Sequence, residues 1–311
     1  MNIQKYNPTY KKKWDDFVHR SKNGTFMFCR DYMEYHADRF DDFSLMFFDD
    51  DILIGLMPAN KSADILVTHG GLTFGGIICD HQMKAYKMLA IFESFKNYLL
   101  SYGISKVIYK AIPHIYHRLP SEEDLYALFL NKANLFRRDI SSTVLLKDRL
   151  SISKGRKHSV KKSQKFSIQI KRSFAFSEFM DIEIEHLEQK HGKLPVHTTE
   201  EIVYLASMFP DNIKLFAAFK DQIMLAGVLI YESSEVAHAQ YIAATDLGKN
   251  VGALDAIMEY LVNSYYLDKK YFDFGISTEE QGKYLNINLI SNKESFGARS
   301  IVYDFYEINL Q

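Results

Sequence analysis

Three titratable residues near the C-terminus have the types and spacing needed for acid–base chemistry. His238 lies within the apolar run Val236–Ala244, Asp246 follows its end, and Asp273 lies in the short apolar run 272–275. A histidine or carboxylate beside a substrate amine can remove its proton, so Asp246 is our first candidate base, directly or through water, and His238 is the second. Asp273 is a candidate for binding the substrate. The alternatives are that Asp246 caps a helix, His238 is a core or surface residue, and Asp273 faces a structural partner instead of a cleft.

The segment after Ala244 has the composition of an anion-binding turn. Residues 245–250 read Thr-Asp-Leu-Gly-Lys-Asn, and apolar residues at helical spacing follow from about residue 251. A helix N-terminus offers unpaired N–H groups, and glycine lets a phosphate approach the backbone closely. The sequence therefore predicts a cofactor site at Gly248, Lys249, Asn250 and Gly252.

The strongest charge asymmetry lies between Arg149 and Arg172, where there are nine Lys or Arg and no Asp or Glu. We predict a basic helix here, with Arg156, Lys157 and Lys161 as candidates for binding the phosphates of a nucleotide, a lipid-linked sugar pyrophosphate or tRNA. A solvated helix face is the alternative interpretation.

A second candidate anion site is the glycine-rich segment 69–76, His-Gly-Gly-Leu-Thr-Phe-Gly-Gly. Successive backbone N–H groups in such a turn could hold an acceptor phosphate, which makes His69, Gly70 and Gly71 candidate substrate-binding residues. A tight turn without a ligand is the alternative. Arg30 and Tyr109 are further candidates for lining a substrate cleft.

The elements that must position these residues occur twice. Apolar runs flank the polar turn 220–222 and predict a hairpin, followed by a strand over 236–244, the turn, a helix from about 251 and a short strand over 270–275. The same order appears around the turn 49–51, with a strand, a glycine turn, a helix over about 81–102 and a strand over 106–111. We predict two copies of one unit, 1–147 and 148–311. Chance similarity of two α/β halves is the alternative.

Composition limits the class of protein. The 311 residues are 47% hydrophobic with a formal net charge of −1, which is enough for two cores and gives no overall basic character. No run approaches the roughly 20 apolar residues of a membrane span, and the N-terminus lacks a signal-like apolar core, so we expect a cytoplasmic protein without integral membrane association. Cys29 and Cys79 have no metal-site spacing, and we expect buried thiols and no metal.

The order hairpin, strand, glycine-containing turn, helix and strand resembles the core of the GNAT acyltransferases. In that family the strand-to-helix turn holds the pyrophosphate of acyl-CoA. The family pattern (Gln or Arg)-x-x-Gly-x-(Gly or Ala) falls on Leu247, Asn250 and Gly252, of which only Gly252 fits. The resemblance implies an α/β (α+β) fold of two tandem GNAT-like domains, each a mixed twisted sheet flanked by helices.

Two such units with a basic helix opening the second resemble the Fem-type family, whose members transfer amino acids from aminoacyl-tRNA to peptidoglycan precursors or act in envelope polysaccharide synthesis. The resemblance covers nearly the whole chain and is carried by segments 70–76, 156–163, 241–246, 272–276 and 292–297. In the segment Lys293-Glu-Ser-Phe-Gly it implies that Lys293 stabilises the developing oxyanion, while a solvated surface lysine is the alternative.

These observations predict an N-acyltransferase acting on an amine of a cell-envelope or nucleotide-sugar precursor. The expected donor is acyl-CoA, with aminoacyl-tRNA as the alternative, and the expected partner is a phosphorylated or lipid-linked precursor. Two further hypotheses are a tRNA-dependent peptidoglycan-bridge aminoacyltransferase and a non-catalytic binding protein on a GNAT core.

Overall fold

The computed structural model describes residues 1–310, apart from the side chain of His191, and divides them into two compact units. The first unit contains Met1–Ile140, Thr278–Tyr284 and the C-terminal segment from Val302. The second contains Ser141–Ser277 and Leu285–Ile301.

The strands and helices follow one another along both units. The strands are β1 Asn2–Lys5, β2 Asp41–Asp42, β3 Leu45–Asp49, β4 Ile52–Met57, β5 Asn60–Ser62, β6 Ile65–Val67, β7 Ile78–Cys79, β8 Lys106–Lys110, β9 Asn134–Leu145, β10 Gln169–Ser173, β11 Ile213–Lys220, β12 Ile223–Glu232, β13 Val236–Ala244, β14 Tyr271–Ile276, β15 Thr278–Glu279, β16 Tyr284–Leu285 and β17 Arg299–Asn309. The α-helices are α1 Lys11–Arg20, α2 Arg30–Met33, α3 Ala85–Ser101, α4 Glu123–Leu130, α5 Lys154–Lys165, α6 Phe176–His191, α7 Thr199–Met208, α8 Asp246–Val251, α9 Ala253–Tyr260 and α10 Ile287–Glu294.

In the first unit, β1, β3, β4 and β7 form an antiparallel sheet, and a second series of paired strands has the order β17-β8-β6-β5-β2. The pair β6–β8 is parallel, and the helix α3 lies between these strands in the chain. Helix α3 buries Ile91, Phe92, Phe95 and Leu99 in the core of this unit. The C-terminal strand belongs here because residues 305–309 of β17 pair with β8.

The sequence predicted a single boundary near Lys147, whereas the chain returns to the first unit at its C-terminus. The last strand rejoins the first unit, and Ser141–Leu145 of β9 lies in the second unit because it pairs with β14. Strand pairing between segments distant in sequence leaves no compositional signal, so a linear boundary could not represent it.

In the second unit the strand order is β10-β11-β12-β13-β14 followed by residues 141–145 of β9, and only the pair β13–β14 is parallel. Helices α8 and α9 make the crossover that a parallel pair requires. The core packs α9 against the sheet through Phe216, Val228, Ile257 and Phe272.

The two hairpins predicted as copies of each other share a structural detail. The β3–β4 hairpin has a register shift between Phe47 and Phe48, and the β11–β12 hairpin has one between Ala218 and Phe219. When the turns 49–51 and 220–222 are aligned in the sequence, Phe47 matches Ala218 and Phe48 matches Phe219, so the two shifts fall at the same place. A bulge adds a residue and increases the local twist, so its recurrence supports the repeat beyond the order of elements.

Within residues 1–310, no helix combines the length and the apolar character required to cross a membrane. Both cysteines are buried free thiols, as predicted.

Candidate functional site

The parallel strands β13 and β14 separate at a pair of functional side chains. They pair at three positions, Val236 with Tyr271, Ala237 with Phe272 and His238 with Asp273. Beyond His238, β13 continues to Ala244 with β12 as its partner, and β14 shifts register against β9 between Asp273 and Ile276. The fold therefore places His238 and Asp273 side by side at the point where the two strands diverge.

His238 and Asp273 form a hydrogen-bonded pair. The distance from His238 Nδ1 to Asp273 Oδ2 is 2.8 Å, and the hydroxyls of Ser141 and Thr143 donate to Asp273 Oδ1 at 2.6 and 2.9 Å. Asp273 is fully buried. An ionised carboxylate only accepts hydrogen bonds, so Nδ1 carries a proton, and in the neutral form of an imidazole bonded in this way the lone pair is on Nε2. Among the described residues, Nε2 has no hydrogen-bond partner and is free to accept a substrate proton.

Lys293 belongs to the same cluster. The alternative interpretation of Lys293 as a solvated surface lysine is wrong, because the side chain is 7% exposed on α10 and its Nζ donates to the carbonyls of Gly275 and Ile276 at 2.8 and 2.7 Å. Burial lowers the pKa of Lys293 to about 8, and the nearby carboxylate of Asp273 acts against this shift. An ammonium has three donors, so one N–H remains for a ligand.

Glycine at position 275 permits this arrangement. Its φ of +77° lies in the left-handed region, and a Cβ there would lie 3.4 Å from His238 Cε1. The turn in the backbone directs two successive carbonyls to Lys293 close to the imidazole ring. A bulge at this place positions functional groups in the way bulges commonly do.

Ser141 and Thr143 were not among the predicted site residues. A signal was present, because Ser-Ser-Thr at 141–143 is a polar run in a segment predicted to be extended. Ser141, Ser142 and Thr143 are all buried. Buried hydroxyls require partners, which can indicate a polar site, but the sequence does not tell which carboxylate they meet.

Asp246, our first candidate base, has no hydrogen bond to His238, Asp273 or Lys293 among the described residues. Its side chain is 86% exposed and forms an ion pair of 2.9 Å with Lys249. The predicted turn over 245–250 is wrong, since α8 begins at Asp246. The cap is Thr245, whose Oγ1 accepts the N–H of Gly248 at 3.0 Å, so the alternative interpretation of Asp246 as the cap is also wrong.

The predicted cofactor glycines have a packing role. A Cβ on Gly248 would collide with the carbonyl oxygen of Leu225 on β12, and one on Gly252 with that of Ser159 on α5. Gly252 has a φ of +76° and ends α8. Neighbouring backbone occupies the space that glycine leaves at both positions. Asn250 is exposed on α8.

The cationic side chains of the basic helix α5 are of two kinds, one bonded within the protein and the other exposed. The Arg156 guanidinium donates to Asp255 Oδ1 and Ser295 Oγ, each at 2.8 Å, and lies 4.0 Å from the Phe296 ring centroid. Arg156 therefore joins α5 to its own unit. Lys157 and Lys161 are exposed and make no ion pair within the described part of the chain. These two lysines are available to an external anion.

In the first unit, Arg30 and His69 line one cavity of about 380 Å³. Arg30 is 3% exposed, forms ion pairs with Glu34 and Asp42, and lies 3.7 Å from the Tyr6 ring centroid. Its charge is thus largely compensated inside the protein. Burial lowers the pKa of His69 to about 3, so this histidine is neutral.

Several backbone groups of the glycine turn in the first unit are hydrogen-bonded to side chains of the same unit. Gly70 N donates to Asn60 Oδ1 at 2.6 Å, Lys110 Nζ donates to the carbonyls of His69 and Leu72, and Gly71 packs against the His36 ring. Backbone groups with partners inside the protein are typical of a turn with a structural role.

Tyr109 is a core residue. Its hydroxyl donates to Asp124 Oδ2 at 2.6 Å and accepts the N–H of Ile77 at 2.8 Å, and the side chain is fully buried. The structure therefore gives Tyr109 internal partners on both sides of its hydroxyl.

Comparison with known proteins identifies the fold. No protein-family model matches the sequence, and no curated protein matches it. Among solved structures, FemX matches with a TM-score of 0.70 at 10% identity, over 99% of this chain and 97% of that chain. L-PGS from Bacillus licheniformis matches with a TM-score of 0.65 at 13% identity, over 99% and 93%. A tandem GNAT protein from the clavulanic acid biosynthesis pathway matches with a TM-score of 0.52 at 8% identity, over 100% and 98%.

The chain therefore has the tandem GNAT fold, as predicted from the repeated order of elements. At these identities the likeness establishes the architecture, and the chemistry has to be argued from the side chains. Among the described residues, no group of three or more His, Cys, Asp and Glu side chains is arranged to hold a metal ion.

Proposed function

We propose that the second unit is an N-acyltransferase whose acceptor is an amine of a cell-envelope or nucleotide-sugar precursor. The observation that carries this proposal is the His238–Asp273 pair at the divergence of β13 and β14, with Lys293 in the same cluster. The resemblance to FemX and L-PGS favours an envelope acceptor.

The residues supply the groups that this reaction needs. The amine nitrogen attacks the acyl carbonyl carbon, the N–C bond forms, and His238 Nε2 takes the proton that the nitrogen must lose. The remaining N–H of Lys293 faces the negative charge that develops on the carbonyl oxygen. When the bond to the donor breaks, the imidazolium returns the proton to the departing oxygen or sulfur. Asp273 positions the ring and stabilises its charged form.

The geometry favours an aminoacyl ester over acyl-CoA as the donor. In the segment expected to hold a pyrophosphate, the carbonyls of Leu225 and Ser159 occupy the space beside the two glycines. The exposed side chain at the start of this segment is the carboxylate of Asp246. That carboxylate is ion-paired with Lys249, so the cation of this segment is already compensated and is a weak partner for a pyrophosphate. The free lysines of α5 are better suited to the phosphates of a nucleic acid.

A donor screen tests the proposal. We expect purified protein supplied with a mixture of charged tRNAs to acylate an amine-containing peptidoglycan precursor, detected by the mass added to the acceptor. Product with acyl-CoA and release of free CoA would instead establish a thioester donor. Acceptor binding without transfer from either donor class would support the non-catalytic binding protein.

Charge reversal on α5 gives a second prediction. In the double variant Lys157→Glu/Lys161→Glu we expect KM for charged tRNA to rise roughly tenfold or more with kcat unchanged, because each lysine neutralises a phosphate. The dependence of KM on salt concentration should also become weaker. The matched control is Lys190→Glu/Lys193→Glu, which makes the same charge change at exposed positions of the same unit. Equal KM values for the two double variants would contradict a role of α5 in donor binding.

A further inference from the structure

Glu183 on α6 is a buried carboxylate without a partner. The residue is 5% exposed, and among the described residues its Oε2 has no hydrogen bond and its carboxylate forms no ion pair. It follows the fully buried Phe179 by four residues and Met180 by three, which are positions of the apolar face of a helix. A charged residue at such a position is unfavourable for folding unless something compensates it.

Helix α6 covers the face of the sheet that carries His238. Phe179 occupies the space beside Gly227 where a side chain would otherwise lie. Gly227 and Tyr231 are four residues apart on β12 and so point to the same face, and Tyr231 pairs directly with His238 across the antiparallel ladder. The helix bearing Glu183 and the imidazole of His238 therefore lie on one side of the sheet.

The other titratable groups near Glu183 do not neutralise it. Tyr241 lies on the same face, because it pairs with Leu229 of β12. Its hydroxyl is 2.7 Å from His197 Nδ1. Burial raises the pKa of Tyr241 to about 12, the hydrogen bond with the His197 backbone acts against this shift, and the Glu183 charge adds to it. Burial raises the pKa of Glu183 to about 7 with no opposing cation. A cationic group placed beside Glu183 would offset that cost.

We infer that Glu183 is the anionic group of a substrate subsite that binds a primary ammonium group on the His238 face of the second unit. The inference rests on the proposed N-acyl transfer and specifies one substrate feature, an ammonium near the reacting centre. Three N–H donors of an ammonium can satisfy a carboxylate that the protein leaves unpaired. Glu183 is thus a specificity-determining residue, and His238 remains the base.

Two amides of equal size test this subsite by calorimetric titration at pH 7. L-Alaninamide carries a primary ammonium, and L-lactamide, which has a hydroxyl in its place, is neutral. We expect the wild-type protein to bind the first at least tenfold more tightly, and Glu183→Gln to lose this preference. Glu188→Gln is the matched control, since Glu188 is exposed on the same helix. Equal affinity for the two amides, or an unchanged preference in Glu183→Gln, would overturn the inference.

A stability measurement separates binding from a structural role. Since the pKa of Glu183 is raised in the folded protein, the carboxylate opposes folding as pH rises from about 4.5 through about 7. We expect Glu183→Gln to raise Tm by about 2–4 °C at pH 8 and by less at pH 5. A lower Tm than in Glu188→Gln at pH 8 would mean that the carboxylate has a structural partner and would overturn the subsite.

Measuring acyl transfer and alaninamide binding separately distinguishes a protein without the subsite from a protein without transferase activity. His238→Gln should abolish most transfer while alaninamide binding persists, because Glu183 is unchanged in that variant. Ammonium-selective binding by wild-type protein that transfers no acyl group from any donor would support the subsite and reject the acyltransferase.

Discussion

Replacing His238 by glutamine is expected to lower kcat for acyl transfer by about 10²–10⁴-fold. Glutamine can still donate to Asp273 from its amide nitrogen, but it has no basic nitrogen to take the proton of the attacking amine. KM should change little, because the imidazole acts on the proton transferred in the transition state. Single-turnover rates with charged tRNA, measured beside KM, would check both parts.

The matched control for this variant is His81→Gln. His81 is an exposed histidine of the first unit and makes no hydrogen bond within the part of the chain that the structure describes. It should retain full activity. A glutamine that did not re-form the bond to Asp273 would lower the unfolding free energy by about 1–3 kcal/mol, so Tm must be recorded for both variants. Activity within twofold of wild type in folded His238→Gln would rule out His238 as the base.

Replacing Lys293 by methionine is expected to lower kcat by about 10²–10³-fold, the effect of removing one oxyanion donor. The pH profile gives a more specific test. The protonated amine is the active form and its pKa is lowered to about 8, so wild-type kcat should fall as pH rises through about 8. Lys293→Met should lack this alkaline decline, because the ionising amine has been removed.

Lys293→Arg distinguishes charge from position. A guanidinium stays protonated throughout this range, so any residual activity of this variant should show no decline near pH 8. Lys283→Met is the matched control at an exposed position and should keep the wild-type profile. An unaltered alkaline decline in Lys293→Met would assign that ionisation to another group and remove Lys293 from the mechanism.

Much of the architecture was predictable from local patterns. The hairpins around residues 49–51 and 220–222, the helix near 81–102 and the basic helix are all present, with bounds moved by a few residues. Runs of apolar residues broken by polar turns determine such elements because burial and backbone hydrogen bonding act over short distances in the sequence. The prediction failed at 245–250, where the hydroxyl of Thr245 stabilises a helix through a single cap.

The candidate site was predicted only in part. His238, Asp273 and Lys293 were each named, but as separate candidates, and Asp246 was ranked first because it follows a strand. The ranking could not account for Ser141 and Thr143, which lie 132 and 130 residues from Asp273 along the chain and hold its carboxylate in place. Nor could it detect that the glycines near Asp246 make room for backbone.

The sequence by itself determined the two-fold repeat, the apolar cores and the set of residue types available for proton transfer, since these follow from composition and periodicity. Only the tertiary structure decided which of these residues act together. Pairing of β13 with β14 brings His238 to Asp273, and the packing of α10 brings Lys293 to the same cluster. The physical reason is that hydrogen bonding and desolvation depend on distances of a few ångströms between segments that are remote in sequence.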